Sequence, residues 1–320
     1  MVKQTPSLRI VFMGTPEFAV PSLRALLDDG HHVVAVVTAP DRPAGRGLQM
    51  AESAVKRFAL SRGIHVLQPE KLRDPDLLEA LRGLRADLFV VVAFRMLPEA
   101  VWSMPPLGTI NLHGSLLPRY RGAAPIQRAI MNGETETGVT TFFLRQEIDT
   151  GRIISRRKLS IGPDETAGEL HDRMMETGAE CLSETVRLIA SGKADGVEQD
   201  VFVSQGEAVV HAPKIFREDC RIDWDRAVDS VHNQIRGLSP YPGAWTLLEG
   251  KVLKILSGRK KHAHHDAIPG SWETDGRSVL CFACADGWYH VLRLQLEGKK
   301  AMTAEEFLRG WKAGASQPYL

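Results

Sequence analysis

The chain has 320 residues, 43% hydrophobic and 25% charged, the make-up of an ordinary soluble protein and more than one hydrophobic core usually serves, so two domains are expected. Forty basic residues against 39 acidic ones leave a net charge of +1, so no global field marks a polyanionic partner and any nucleic-acid surface must be local. No apolar run approaches the ~20 residues of a spanning helix, the start lacks a signal-peptide core, and four cysteines are too few for the framework of a secreted module. A cytoplasmic protein with reduced thiols, away from membranes, is expected.

The first half alternates β-branched apolar runs, Leu8 to Met13, Val33 to Thr38 and Leu88 to Ala93, with helical patterns through Phe18, Leu23, Leu26 and Leu27 and through Leu77, Leu78 and Leu81. Such alternation implies βαβ units around a parallel sheet. Pro16 suits a first helical turn, and Asp74 or Asp76 can cap the helix that runs to Leu84. Leu170, Met174, Leu182, Val186 and Ile189 form the apolar stripe of a long helix from Thr166 to Ile189, which closes this half.

Residues 192 to 212 turn glycine-rich and polar and read as a connecting segment, with a boundary near 205. Beyond it, a helix from Arg226 to Arg236 precedes the alternating runs Ala244 to Leu248, Val252 to Leu256, Val279 to Ala283 and Tyr289 to Leu296, the pattern of a small β-barrel. Glu249-Gly250 is a hairpin signal, and Thr303 caps a closing helix to Trp311.

Candidate chemistry concentrates after the strand-like Gly108 to Ile110. Asn111 and His113, two apart, share one face at the end of a strand, where open parallel sheets place their ligands. Asp149, in the turn Ile148-Asp149-Thr150-Gly151 between Thr140 to Leu144 and Arg152 to Ser155, is placed to fold back toward His113. Moving an acyl group onto an amine needs donors for a developing oxyanion, a route for the ammonium proton and a proton for the leaving amine. Amide, imidazole and carboxylate supply all three without a metal. An isolated histidine at a strand end is more often structural, and a lone Asp-Thr-Gly is most often a turn, so the context decides.

That context is Asn111 to Pro118 continued by Arg119-Tyr120-Arg121-Gly122-Ala123-Ala124-Pro125-Ile126-Gln127, with Met13 to Ala19, Asp41 to Gly47 and Leu238 to Trp245 elsewhere. Together these stretches resemble the methionyl-tRNA formyltransferase family along essentially the whole chain. The resemblance implies a Rossmann-like α/β formyltransferase domain over 1–191, a linker over 192–212 and a smaller OB-like β-barrel that binds tRNA over 213–320. It implies 10-formyltetrahydrofolate as co-substrate and methionyl initiator tRNA as acceptor, with no metal and no NAD, in a monomer. By position, Asn111, His113 and Asp149 match the family's catalytic residues, and Ser115, Leu116, Leu117 and Pro118 match its folate-contacting loop. Leu116, Leu117 and Pro118 would offer an apolar wall for a flat pterin. The chain departs from the family in Phe94-Arg95, where Tyr-Gly is common, and in Gln146-Glu147-Ile148 before Asp149, both expected to border the folate pocket.

Two segments are candidates for RNA. Ala39 to Met50, with two prolines, two glycines, Arg42 and Arg46, reads as a long mobile loop whose cations enter an RNA end, as the family resemblance favours. Lys251, Lys254, Arg259, Lys260 and Lys261 form a basic run in the barrel, with Lys251 and Lys254 the chosen contacts. Cys281-Phe282-Ala283-Cys284 has metal-like spacing, but strand positions three apart face opposite ways, so buried thiols are expected. His262, His264, His265 and Asp266 lie in a polar, loop-like stretch and are expected to hold no metal. Gly14-Thr15-Pro16 lacks the glycines of a dinucleotide site. The rival readings are a formyltransferase for a sugar-nucleotide or ribonucleotide amine and a catalytically silent RNA-binding protein. The first would need neither the Arg42 segment nor the barrel, and the second would need none of Asn111, His113 and Asp149.

Overall fold

Residues 6–44, 49–203 and 209–311 are described by the computed structural model. In chain order the first half runs β1 (Arg9–Gly14), α1 (Val20–Asp28), β2 (His32–Val37), β3 (Arg42–Ala44), β4 (Gln49–Ala51), α2 (Ala54–Ser61), β5 (Val66–Leu67), α3 (Pro75–Gly83), β6 (Leu88–Val92), α4 (Glu99–Trp102) and β7 (Thr109–His113). It continues through β8 (Arg121–Gly122), α5 (Pro125–Met131), β9 (Glu136–Phe143), β10 (Ile153–Ser160) and α6 (Ala167–Ala190). Seven strands form one sheet in the order β10-β9-β7-β6-β1-β2-β5, in which β1 pairs in parallel with β2 and β6, β2 with β5, and β6 with β7. Beyond β7 the direction reverses, because β9 runs antiparallel to it.

The apolar runs are central strands for a simple reason. All five residues of β6 are buried, as a strand covered on both faces requires. Against one face, Val11, Met13, Phe89 and Val91 pack with Leu77 and Leu81 of α3. Each such side chain contributes roughly 1.5–3 kcal/mol by leaving water. The stripe expected on α6 is buried throughout, at Leu170, Met174, Leu182, Val186 and Ile189. Asp74 is the residue that caps α3, accepting the Asp76 amide at 3.0 Å, whereas Pro16 introduces a 3-10 turn, Glu17–Ala19, ahead of α1. Gly14 closes β1 tightly, since a Cβ there would lie 2.8 Å from that of Ala19.

The second half adds β11 (His211–Ala212), α7 (Val228–Gly237), β12 (Ala244–Leu248), β13 (Lys251–His262), β14 (Trp272–Thr274), β15 (Leu280–Cys284), β16 (Gly287–Leu296), β17 (Met302–Thr303) and α8 (Ala304–Gly310). The order β12-β13-β16-β15-β14, with β17 on β16, is antiparallel throughout. Register shifts between Ile255 and Gly258 bend β13 as bulges do, and the sheet curls into an OB-like half-barrel. Glu249 and Gly250, both at positive φ, make the expected two-residue hairpin between Leu248 and Lys251. Thr303 caps α8 in a reciprocal capping box with Glu306. The core gathers Trp224, Val231, Ile235, Leu253, Phe282, Tyr289 and Leu294, with Trp224 stacked on Phe282 at 4.7 Å.

By contacts the chain divides into two compact units. One comprises Met1–Gly122, Thr137–Leu159 and His171–His211, and the other Ala123–Glu136, Ser160–Leu170 and Ala212–Leu320. The C-terminal unit thus takes α5 and the segment Ser160–Leu170, which includes the start of α6, from the sequence ahead of Ala212. Cys281 and Cys284 are fully buried in β15, with thiols pushed up to about 12 chiefly by burial. Among the described residues no helix is long and apolar enough to cross a membrane.

Candidate active site

Asn111 and His113 occupy the last turn of the pleat of β7, where the alternation of the strand sends both to the same side. Between β6 and β9, Asn111 is opposite Val91 and Phe142, and His113 is opposite Thr140. Asn111 is part-exposed while His113 is 7% exposed. The imidazole is held at its Nε2 end. Its Nε2 lies 2.8 Å from the Tyr120 carbonyl, which can only accept, so Nε2 carries the hydrogen. That leaves Nδ1 as the nitrogen able to take up a proton, and it faces Asp149 Oδ2 at 3.8 Å. The carboxylate lies folded back toward His113, at a separation too long for a direct hydrogen bond.

Asp149 is fixed more tightly than a turn residue needs to be. It stands at φ 53, in the left-handed region, and Oδ2 accepts the Gly122 amide at 2.9 Å. Two positions on, Gly151 is a glycine of necessity, since a Cβ would lie 1.6 Å from the Phe143 carbonyl oxygen. Thr150 Oγ1 donates to the Glu147 carbonyl and accepts from Arg145 Nε at 2.8 Å. From the far side, Gln199 Nε2 donates to the carbonyls of Asp149 and Gly151 at 2.8 and 2.9 Å, and its oxygen accepts from Arg121. Burial, with Arg145 nearby, lowers the Arg121 pKa against the opposing pull of Asp200, Asp149 and Glu147. None of these partners of the turn was singled out in the sequence. Arg121 and Gly122 sit in the Arg-Tyr-Arg-Gly stretch that follows Asn111 to Pro118, but Gln199 lies in the segment read as a connector and carries no local signal.

The connector is accordingly better built than a polar, glycine-rich segment suggests. Val197 bridges Ile153, Gln199–Phe202 forms a 3-10 turn, and Val210 accepts the Tyr120 amide at 2.6 Å.

The loop after His113 differs from the apolar wall its sequence suggests. Leu117 is fully buried against Phe142 and Ile153, and Ser115 and Pro118 are buried with it. Ser115 Oγ donates to the Arg119 carbonyl at 2.6 Å, and Thr140 Oγ1 donates to the Ser115 carbonyl while accepting the Leu117 amide. Burying Leu117 fills the space beneath the loop, so among these four only Leu116 keeps a part-exposed side chain. The departures from the family are also placed. Arg95 donates to the carbonyls of Pro69 and Glu70 and lies over the Phe94 ring, while Gln146, Glu147 and Ile148 are exposed on the Asp149 turn.

The RNA candidates fare unevenly. Arg42 is exposed, but the stretch expected to be an irregular mobile loop begins and ends as a two-stranded ribbon, with Arg42 opposite Ala51 and Pro43 opposite Met50. Its base is anchored by Asp41, whose carboxyl is held low by Lys56 and then by Gln68. Arg46 lies outside the described residues. Lys251 is exposed, whereas Lys254 Nζ donates to the Pro242 carbonyl at 2.7 Å. The basic run also proves to have an acidic neighbour, because Asp229 of α7 pairs with Lys260 and with His262, the last residue of β13. Periodicity along β13 could not reveal a partner from another element. His265 bonds the Gly287 carbonyl, and among the described residues no cluster of three metal-ligating side chains occurs.

A cleft of about 570 Å³ elsewhere in the N-terminal unit is lined by α1, α6 and Arg157 of β10, including Arg24, Asp28 and Glu180. It contains none of the three candidate residues, and its Arg157 is paired with Glu180 and Glu184, so a salt-bridged surface accounts for it.

This fold, with polar groups gathered at the end of β7, is that of a formyl-transferring enzyme: residues 8–186 match the formyl transferase family and 214–312 match the formyl transferase C-terminal domain. The methionyl-tRNA formyltransferase of Parabacteroides distasonis is 53% identical over 311 residues, 95% of this chain and 96% of that one. That of Bacteroides fragilis is 51% identical over 309 residues, 95% of each. The chain belongs to the methionyl-tRNA formyltransferase family. Among solved structures, the N-formyltransferase of Helicobacter canadensis in complex with folinic acid and dTDP-3-aminofucose superposes with a TM-score of 0.67 at 19% identity, over 89% of this chain and 98% of that one. HypX of Aquifex aeolicus in complex with tetrahydrofolic acid gives 0.63 at 20%, over 98% of this chain, which spans about half (49%) of HypX. At such identities these two attest the fold alone.

Proposed function

We propose that the protein transfers the formyl group of 10-formyltetrahydrofolate to the α-amino group of methionyl initiator tRNA, for translation initiation in the cytoplasm. The observation that carries this reading is the opposition of His113 Nδ1 and Asp149 Oδ2 at 3.8 Å beside Asn111, a donor and proton-handling set that fits a polarised formyl carbonyl. The relatives alike over their whole length favour a tRNA acceptor over the sugar-nucleotide amine of the more distant structures.

In this mechanism the methionyl nitrogen bonds to the formyl carbon, and the carbonyl oxygen takes up negative charge in a tetrahedral adduct. Asn111 donates an amide N–H to that oxygen without changing its own charge, an interaction of the kind worth ~3 kcal/mol of barrier. His113, its ring fixed by Tyr120 at Nε2, takes up the ammonium proton of the adduct at Nδ1 and from there donates toward the oxyanion until that proton is passed on. Asp149 steadies the imidazolium and passes the ammonium proton toward the leaving nitrogen, whose bond to the formyl carbon then breaks. Part-exposed Leu116 and the backbone of Ser115 to Pro118 meet the folate, and the buried Leu117 and Pro118 hold that backbone in place. Arg42, Arg46 and Lys251 serve the tRNA, with Lys254 closer to a structural role. The monomer is the working unit, with a catalytic domain over 1–191 and a tRNA-binding domain over 213–320.

The test is mass spectrometry of methionyl initiator tRNA incubated with 10-formyltetrahydrofolate and the full-length protein. Formyl-methionyl-tRNA is expected; no product, or turnover of an amino-sugar nucleotide in preference to the charged tRNA, would refute the assignment.

A further inference from the structure

We infer that Gln199 is a positioning residue for Asp149, holding the carboxylate toward His113 through the backbone of its turn; the inference rests on the role in formyl transfer proposed for Asp149. The Gln199 side chain is 2% exposed. Its NH2 group spans the carbonyls of Asp149 and Gly151 at 2.8 and 2.9 Å, and its oxygen receives Arg121 Nε and Nη2 at 3.0 and 2.6 Å. Both donors and both lone pairs of the amide are therefore used. The opposite amide orientation would turn its oxygen on two carbonyls and its NH2 on a guanidinium, so the network admits one orientation only.

The turn needs such support. A non-glycine residue at φ 53 is disfavoured locally and persists when its surroundings hold it. Gly122, the neighbour of Arg121, bonds the Asp149 carboxylate itself, so Arg121-Gly122 and Gln199 grip Asp149 from its side chain and from its backbone. Tyr120, one residue earlier, holds His113 Nε2. A three-residue strip thus ties the imidazole and the carboxylate to one another's position, and Gln199 is the clasp that joins the strip to the turn. With every polar atom committed, Gln199 acts on the reaction through Asp149. Displacements near 1 Å can cost a catalytic group orders of magnitude in rate, so the loss of this clasp is expected to be visible in turnover.

The experiment uses the full-length protein, methionyl-tRNA and 10-formyltetrahydrofolate. Gln199→Glu keeps the volume and the Arg121 contact but removes both donors, and Gln199→Ala removes everything. Each is expected to lower kcat roughly 10- to 100-fold with KM for the tRNA within about twofold. In an Asp149→Asn background the same changes are expected to lower kcat by less than about twofold, because the group they position is already lost. An equal fold-loss in both backgrounds overturns the inference, as does Gln199→Glu turning over like wild type while Asp149→Asn is inactive; the second result leaves the role of Asp149 intact. Near-normal turnover by Asp149→Asn would instead remove the reading on which the inference rests. Melting curves establish that the variants are folded; if Gln199→Ala is not, Gln199→Glu decides.

Discussion

The end of β7 and the length of β13 both present polar side chains, and they do so in opposite ways. At β7, His113 is buried with Nε2 committed to a carbonyl, and Asp149 opposite it is gripped by Gly122 and Gln199. Along β13 the cations other than part-buried Lys254 stand in solvent, with an acidic neighbour in Asp229 and a carbonyl for Lys254. Bond-making demands groups fixed to a fraction of an ångström, whereas a phosphate backbone asks mainly for charge within reach. The contrast therefore separates residues whose loss should change turnover from residues whose loss should change affinity and its salt dependence.

The largest effects are expected at the first region. His113→Ala and Asp149→Asn should each cut kcat by about 10²- to 10⁴-fold with little change in melting temperature, since they remove proton handling and leave the fold. Near-normal rates in both would erase the distinction between the regions. Asn111→Ala should follow at about 10²- to 10³-fold in kcat, the worth of one oxyanion donor. A loss confined to KM would show that Asn111 binds ground state and transition state alike. At the second region the expected changes are smaller and of another kind. Lys251→Ala should weaken tRNA affinity a few-fold and lower the salt slope of binding by about one, with kcat unchanged. Lys254→Ala sharpens the comparison, because its ammonium already serves the Pro242 carbonyl: its salt slope should move less than that of Lys251→Ala, read in filter binding between low and physiological salt.

These differences follow the limits of what a sequence can express. Periodicity made the strands and helices legible, and the two-residue spacing of Asn111 and His113 fixed their shared face. The hairpin at Glu249-Gly250 and the cap at Thr303 were legible because local chemistry alone decides them. Contacts between distant segments were not. Nothing local marks Gln199 as the partner of Asp149, 50 residues earlier, or Asp229 as the partner of Lys260, 31 residues on. Nor could the leucines after His113 declare a side: Leu116 stays part-exposed while Leu117 turns inward, and only the packing of Phe142 and Ile153 decides it. The Ala39 to Met50 stretch, rich in proline and glycine, read as loop because composition hides a three-residue ladder.

The smallest expected effect concerns neither region's chemistry but what burial does to charge. His232 of α7 is 2% exposed, with Nε2 near the Pro163 carbonyl at 3.2 Å and Asp164 at 3.1 Å and with Nδ1 buried without a hydrogen-bond partner among the described residues. Burial lowers its pKa from the ordinary 6.5; Lys260 and Arg236 push the same way, and the Pro163 carbonyl and Asp164 oppose them. The unfolded chain therefore takes up this proton first as the solution is acidified. Stability from the neutral imidazole is complete above the unfolded value of 6.5 and is lost as pH falls through the lower folded value. His31 and His290, also lowered by burial, act in the same direction, so the wild-type fall has several sources. His232→Gln keeps a donor for Pro163 and cannot titrate, and denaturant unfolding at a series of pH values below 6.5 should show a shallower loss than wild type. An unchanged slope would mean that Asp164 holds the proton on His232 against burial, so that a carboxylate governs an imidazole even deep in α7.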